Sequence, residues 1–195
     1  MASSVYMGNR RKWGRPQALL FSNNAGTLDG GSYVPTGVEG TDFIILSDHN
    51  RQPISMPPQR IEDRKRMVNA TMRSYHTADK LTLSTSWTRL PSRAADTSLE
   101  YDSSGEVVTT GYTQYTVDGG AGGVDLLSWW EDHQGPFWVF IAYDKFRIDG
   151  VENYSRLDIY NQVARMYFAG FDYTIEKRGA DNFDFWNVSL SLEEV

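Results

Sequence analysis

The last thirty residues constrain the fold most. Tyr167, Ala169, Phe171, Tyr173 and Ile175 share one parity, opposed by Asp172, Thr174 and Glu176. After the loop KRGADNFD, Trp186, Val188, Leu190 and Leu192 alternate in the same way with Asn187, Ser189, Ser191 and Glu193. Side chains on a strand point alternately to its two faces, so period two over both arms predicts an antiparallel hairpin over 166–195 with one buried face. A sheet that buries one face needs something to cover it. The best candidate is a helix near 124–133, where Leu126, Leu127 and Trp130 make an apolar stripe and Gly135-Pro136 a stop. Phe137–Tyr143 (FWVFIAY) is apolar on both parities, as expected of a strand covered on both faces.

The rest of the chain fits the same class. Phe43–Ser47, 66–75 and 81–90 read as strands, Gln17–Phe21 as a short one, and 91–123 as an irregular hairpin or extended loop. Residues 1–40 read as an N-terminal arm with Gly- and Asn-rich loops, and 41–195 as a single β-rich domain. The expected fold is mainly β, an antiparallel β-sandwich or split barrel with one short packed α-helix. Hydrophobic residues make up 40% of the 195, which argues against disorder. The chain holds no cysteine, hence no disulfide framework or thiolate metal site. The longest apolar run is well short of the ~18 residues of a membrane span, and no apolar segment follows the charged start, so neither a membrane partner nor a secretory leader is expected.

Charge divides unevenly. Residues 1–100 hold 13 Lys/Arg against 9 Asp/Glu, and residues 101–195 hold 6 against 16. Such a division fits either an ordinary solvated surface or opposite-signed faces suited to stacking on copies of the protein or a relative, and it does not suit simple nucleic-acid binding.

Four candidate sites arise. The loop Gly119, Gly120, Gly122, Gly123 invites a phosphate, but no Lys-Ser/Thr follows it, Asp125 stands where a dinucleotide fingerprint needs its third glycine, and Asp118 and Asp125 would repel the anion. The glycines are expected to turn the chain so that a helix folds back onto a sheet. His49, His76 and His133 share no metal-binding spacing. Glu131, Asp132 and Asp144 could be cast as a glycosidase pair, yet no nucleophile motif accompanies them, and neither an enzyme nor a cofactor is expected. Trp129, Trp130, Trp138 and Trp186 could form a sugar-stacking platform in a glycan-binding β-sandwich module, or serve as core and subunit interface.

Three stretches carry a resemblance: ADKLTLSTSWTRLPSR, LLSWWEDHQGPFWVFIAYD and FAGFDYTIEKRGADNFDFWNVSLSLEEV, the last with Lys177-Arg178-Gly179 at its hairpin tip and a LEEV end. Over roughly residues 60–195 the chain resembles minor tail and distal tail proteins of long-tailed bacteriophages, especially those infecting actinobacteria. The resemblance implies a tail-tube-like fold and a structural virion protein. Such a protein would form a homo-hexameric ring at the tail end or baseplate, touch other tail proteins (tube, hub or tip), and let DNA pass through its lumen only transiently. The major tail tube subunit is the alternative. Interface residues expected on this reading are Arg10, Arg11, Lys12 and Trp13 in the N-terminal arm, with Trp138, Lys177 and Arg178. Basic residues are then expected in contacts between subunits, and acidic or neutral ones in the channel.

Overall fold

A computed structural model describes residues 19–30, 32–101, 103–104, 106–142, 160–178 and 183–195. In chain order the strands are β1 Leu19–Ser22, β2 Thr27–Asp29, β3 Ser32–Val34, β4 Phe43–Ile45, β5 Pro58–Arg66, β6 Met72–Pro91, β7 Ala95–Tyr101 and β8 Val107–Gln114. The helix α1 Gly123–Asp132 follows, then β9 Phe137–Ile141, β10 Gln162–Lys177 and β11 Phe185–Glu194. Seven strands form one antiparallel sheet in the order β4-β1-β9-β10-β11-β6-β5, which stays open with β4 and β5 at its edges. The pairs β2–β3 and β7–β8 are separate hairpins. The expected class, mainly antiparallel β with one packed helix, is the observed one.

The core explains the element choices. Phe137, Val139 and Ile141 of β9 face the main cluster with Leu19, Phe21, Trp87, Leu126 and Trp129, whereas Phe140 faces a second cluster with Leu20, Phe43, Ile45 and Tyr160. This strand is covered on both faces, which is why its sequence shows no alternation. Strand β1, LLFS, is wholly buried for the same reason and lies between β4 and β9, so residues 19–22 sit inside the sheet, ahead of the expected domain start at 41.

The helix covers the main cluster. Its buried residues are Gly123, Leu126 and Trp129, while Leu127 is half-buried and Trp130 lies exposed at the rim. The expected stripe of Leu126, Leu127 and Trp130 is thus rotated by one position, because Trp129 is the ring that packs on Phe21 and Phe137 of the core, with His133 stacked on its other side (centroids 3.9 Å apart). Asp125 closes the first turn by accepting the Gly122 N–H at 2.8 Å, satisfying one of the donors a helix start leaves open.

The C-terminal hairpin forms as expected, with a correction of parity. Register passes from Phe168↔Leu192 to Gly170↔Ser191, so Ala169 is an extra residue and the side chains that follow, as far as a second shift after Ile175, change face. Ala164, Met166 and Phe168 face the core before this bulge, and Phe171 after it. Of the residues expected on the buried face, Tyr167 and Ala169 are exposed because they precede the change of face, Phe171 is half-buried, and Tyr173 and Ile175 are exposed where β10 runs beyond β9.

Another correction concerns 66–75. The chain turns at 67–71, where the Met67 and Ala70 N–H groups donate to the Thr71 and Met67 carbonyls, both within 2.9 Å. Strands β5 and β6 flank that turn.

Candidate interaction surface

Strand β6 is 20 residues long, about 65 Å at ~3.3 Å per residue, and only half of it belongs to the body. Its pairing with β11 covers Thr82 to Pro91. Where β11 ends, the Leu81 N–H donates to a Glu194 carboxylate oxygen (2.8 Å) and the Lys80 ammonium to the Val195 carbonyl. Beyond that point β5 and β6 run on as a two-stranded arm, Pro58 to Leu81, exposed on both faces along nearly its whole length.

An isolated two-stranded ribbon is marginally stable in water. Here it is held by its ladder; of the exposed pairs, Arg60–Asp79 at 3.0 Å crosses between the strands, while His76–Asp79 at 3.0 Å, Lys65–Asp63 at 2.9 Å and Arg64–Glu62 lie within one strand. The Ser74 hydroxyl donates to Glu62 at 2.7 Å. The hydrogen bond from His76, then that from Arg60, lowers the Asp79 pKa; the bonds from Ser74 and Arg64 lower that of Glu62. Pairs this exposed contribute little to stability. The arm also exposes Ile61, Met67, Val68, Met72 and Tyr75, and Val68 at the turn is fully solvated.

A second surface lies toward the other end of the sheet. Strand β9 pairs with β10 only over Gln162–Met166, so among the described residues the rest of β10 has a neighbour on one side alone, β11. On that stretch Tyr173 and Ile175 are 45% and 42% exposed, and Trp130 of α1, 41% exposed, stacks on Phe171 at 5.5 Å. Tyr173 in turn stacks on buried Trp186 at 5.0 Å. The result is an aromatic stripe beside a helix that carries Asp125, Glu131 and Asp132 and no Lys or Arg. Trp130 also borders a groove of about 420 Å³ with Glu131, His133, Gln134, Tyr167 and Phe168.

The glycine loop is explained by packing. A Cβ on Gly120 would lie 2.6 Å from the Ser47 backbone, one on Gly122 2.7 Å from the Arg93 backbone, and one on Gly123 2.9 Å from the Trp186 ring. The flanking Asp118 is buried and accepts from the Ser47 hydroxyl (2.7 Å), the Asp48 N–H (2.8 Å) and the Gly120 N–H (3.0 Å). A carboxylate so used ties the loop to the end of β4 and starts the helix in the right place.

The histidines are dispersed. His49 Nδ1 accepts the Val117 N–H at 3.2 Å, and burial lowers its pKa from 6.5 against the opposing pull of the Asp118 charge. His133 bridges the Trp129 carbonyl (2.8 Å) and the Asn23 side chain (2.6 Å). His76 lies on the arm. Among the described residues no three His, Asp or Glu side chains come together as a metal site.

Of the four tryptophans considered as a platform, Trp129 and Trp186 are buried, Trp138 is half-buried against the second cluster, and Trp130 alone is exposed. Glu131 and Asp132 are exposed on the helix, and Asp144 lies outside the described residues. So do Arg10, Arg11, Lys12 and Trp13 of the expected interface, whereas Lys177 and Arg178 are exposed at the end of β10. The arm was not among the expected contact elements. A run such as QRIEDRKR, polar on both parities and ahead of a long strand, was its one sequence signal.

No protein-family model matches the chain, and no curated protein matches its sequence.

Proposed function

We propose that the protein is a structural subunit of a long-tailed phage virion, forming a ring at the tail end, of distal-tail or baseplate type, around the DNA channel. The observation that carries this reading is the β5–β6 arm, a ribbon with exposed apolar side chains that its own body leaves uncovered. Exposed apolar surface joined to an open sheet edge favours contact with another chain. The resemblance of residues 60–195 to phage tail proteins supplies the context: partners are other copies and neighbouring tail components, and DNA meets the lumen only in passing.

Two further readings have specific support. Arm and stripe lie toward opposite ends of the sheet, which suits stacking and so favours a tail tube subunit. The groove beside Trp130 and Tyr167 has the mixed aromatic and polar lining that suits glycan binding.

Native mass measurement and cryo-electron microscopy over a range of concentrations separate them. Closed six-fold rings are expected for the tail-end role and stacked tubes for the tube subunit. A monomer at every concentration that binds a glycan, and loses it on Trp130→Ala, refutes both tail roles.

A further inference from the structure

We infer that the β5–β6 arm of one subunit docks on the aromatic stripe of the next copy, along the outer edge of β10 from Tyr167 to Lys177. The inference rests on the self-assembly reading above and adds which surfaces meet.

Geometry makes the contact intermolecular. Aligned pairs fix positions along the sheet: Leu83, Leu192 and Phe168 share one level, and Leu90, Trp186 and Ile175 a level some seven residues further on. The arm leaves in the opposite direction and extends about nine residues past Leu81, roughly 30 Å. Its turn and Ile175 therefore stand about 50 Å or more apart along the strands, pointing away from each other. The arm cannot fold back onto its own stripe without breaking β6. It can reach a neighbour's.

The two surfaces fit chemically. The arm carries six Lys/Arg against three Asp/Glu, while the rest of the chain carries 13 against 22. Arg66 and Arg73, adjacent to the turn, make no ion pair among the described residues, and guanidinium groups stack favourably on aromatic faces such as Trp130 and Tyr173. Helix carboxylates Glu131 and Asp132 stand exposed next to Trp130. The edges match in length as well, since β5 has nine residues and the one-sided part of β10 spans Tyr167–Lys177. Addition of a strand to an open edge is an established mode of recognition. At roughly two dozen residues the arm alone supplies one side of an interface of standard size.

An arm in a neighbour's socket is a contact between two different patches. Repeated in one direction it closes a ring or builds a filament. That property makes it testable by mixing. R64E/K65E/R66E reverses the arm's net charge, from six Lys/Arg against three Asp/Glu to three against six, and Y173A/I175D spoils the stripe; all five positions are exposed, and circular dichroism checks that each variant folds. Each variant alone should associate at least about tenfold more weakly than wild type. Mixed in equal amounts they should form a one-to-one dimer that grows no further, because one good arm meets one good stripe. A second measurement avoids disruptive changes: with no native cysteine, Val68→Cys and Lys177→Cys together should be joined between chains by a flexible bis-maleimide, and neither alone.

Wild-type rings with both variants assembling equally well, or no Val68–Lys177 cross-link within assembled rings, overturn the docking and leave the ring reading standing. A wild-type chain that never self-associates overturns both.

Discussion

Replacing Asp118 by alanine should cost more stability than any loop-surface change of similar size. The carboxylate is buried and accepts three hydrogen bonds, from the Ser47 hydroxyl, the Asp48 N–H and the Gly120 N–H. The Gly120 N–H is buried and, with its acceptor gone, costs about 2 kcal/mol; the Ser47 hydroxyl can rotate and costs about 1; the half-buried Asp48 N–H can take water and costs about 0.5. Relief of a buried charge offsets part of this sum, which leaves about 3 kcal/mol. For a chain of this size that is a fall in Tm of roughly 6–12 °C. Asp118→Asn keeps the oxygen that serves Ser47 and Gly120 but turns an NH₂ toward the Asp48 N–H, and should cost about 1–2 kcal/mol. Urea titration followed by tryptophan fluorescence measures both, with an unchanged m value showing that the native state is intact. An alanine variant within about 1 kcal/mol of wild type, or an asparagine variant as damaged as the alanine, would refute the view that Asp118 anchors the loop through these three bonds.

Gly120→Ala should be severe, about 3 kcal/mol or more, because its methyl would lie 2.6 Å from the Ser47 backbone. Gly135→Ala, with open space around it, should stay within about 0.5 kcal/mol, and thermal melts of the two side by side test the steric account. Ala70 sits at φ 64 in the arm turn, so Ala70→Gly should stabilise the arm by up to about 1 kcal/mol, seen as slower amide exchange over Met67–Thr71. His49 has a lowered pKa, so the unfolded chain takes up its proton first. Stability should therefore be complete above pH 6.5 and fall as pH drops from 6.5 through the folded-state value. His49→Asn, whose amide oxygen can still accept from Val117, should lack this component, and identical melting curves against pH for the two proteins would exclude it.

How much of this was readable beforehand depends on whether a residue's neighbours are local. The C-terminal hairpin is set by alternation within each strand, and both strands were legible. The bulge at Ala169 was not, because an inserted residue leaves each half of β10 alternating and shifts only which half faces inward. Trp130 lies at the rim because Trp129 is the residue that packs on Phe21 and Phe137, contacts with other elements that the helix's own spacing does not show. The glycine loop was legible as a turn, through the carboxylates that flank it. That Asp118 reaches Ser47 and Asp48, some seventy residues earlier in the chain, was not. The arm escaped for a different reason. A ribbon that buries neither face has no period to display: QRIEDRKR is polar on both parities, and 66–75, read as one strand, gives no sign of the turn inside it.

Absence of a pattern is informative once the body is known. A strand of 20 residues is kept straight through half its length by β11 and through the other half only by β5. A free ribbon with apolar side chains risks indiscriminate pairing, and the arm limits that risk in two ways. Its charges are dense, with alternating ion pairs along β5, and the register shift between Ile61 and Glu62 interrupts a flat edge. The arm's net basic excess, six Lys/Arg against three Asp/Glu, disfavours the approach of one arm to another. It leaves pairing with an acidic, aromatic edge unhindered. On the proposed docking, a basic excess on the projecting arm and an acidic excess on the body would give association a preferred direction. Closed rings then require only that the rotation per subunit divide a full turn.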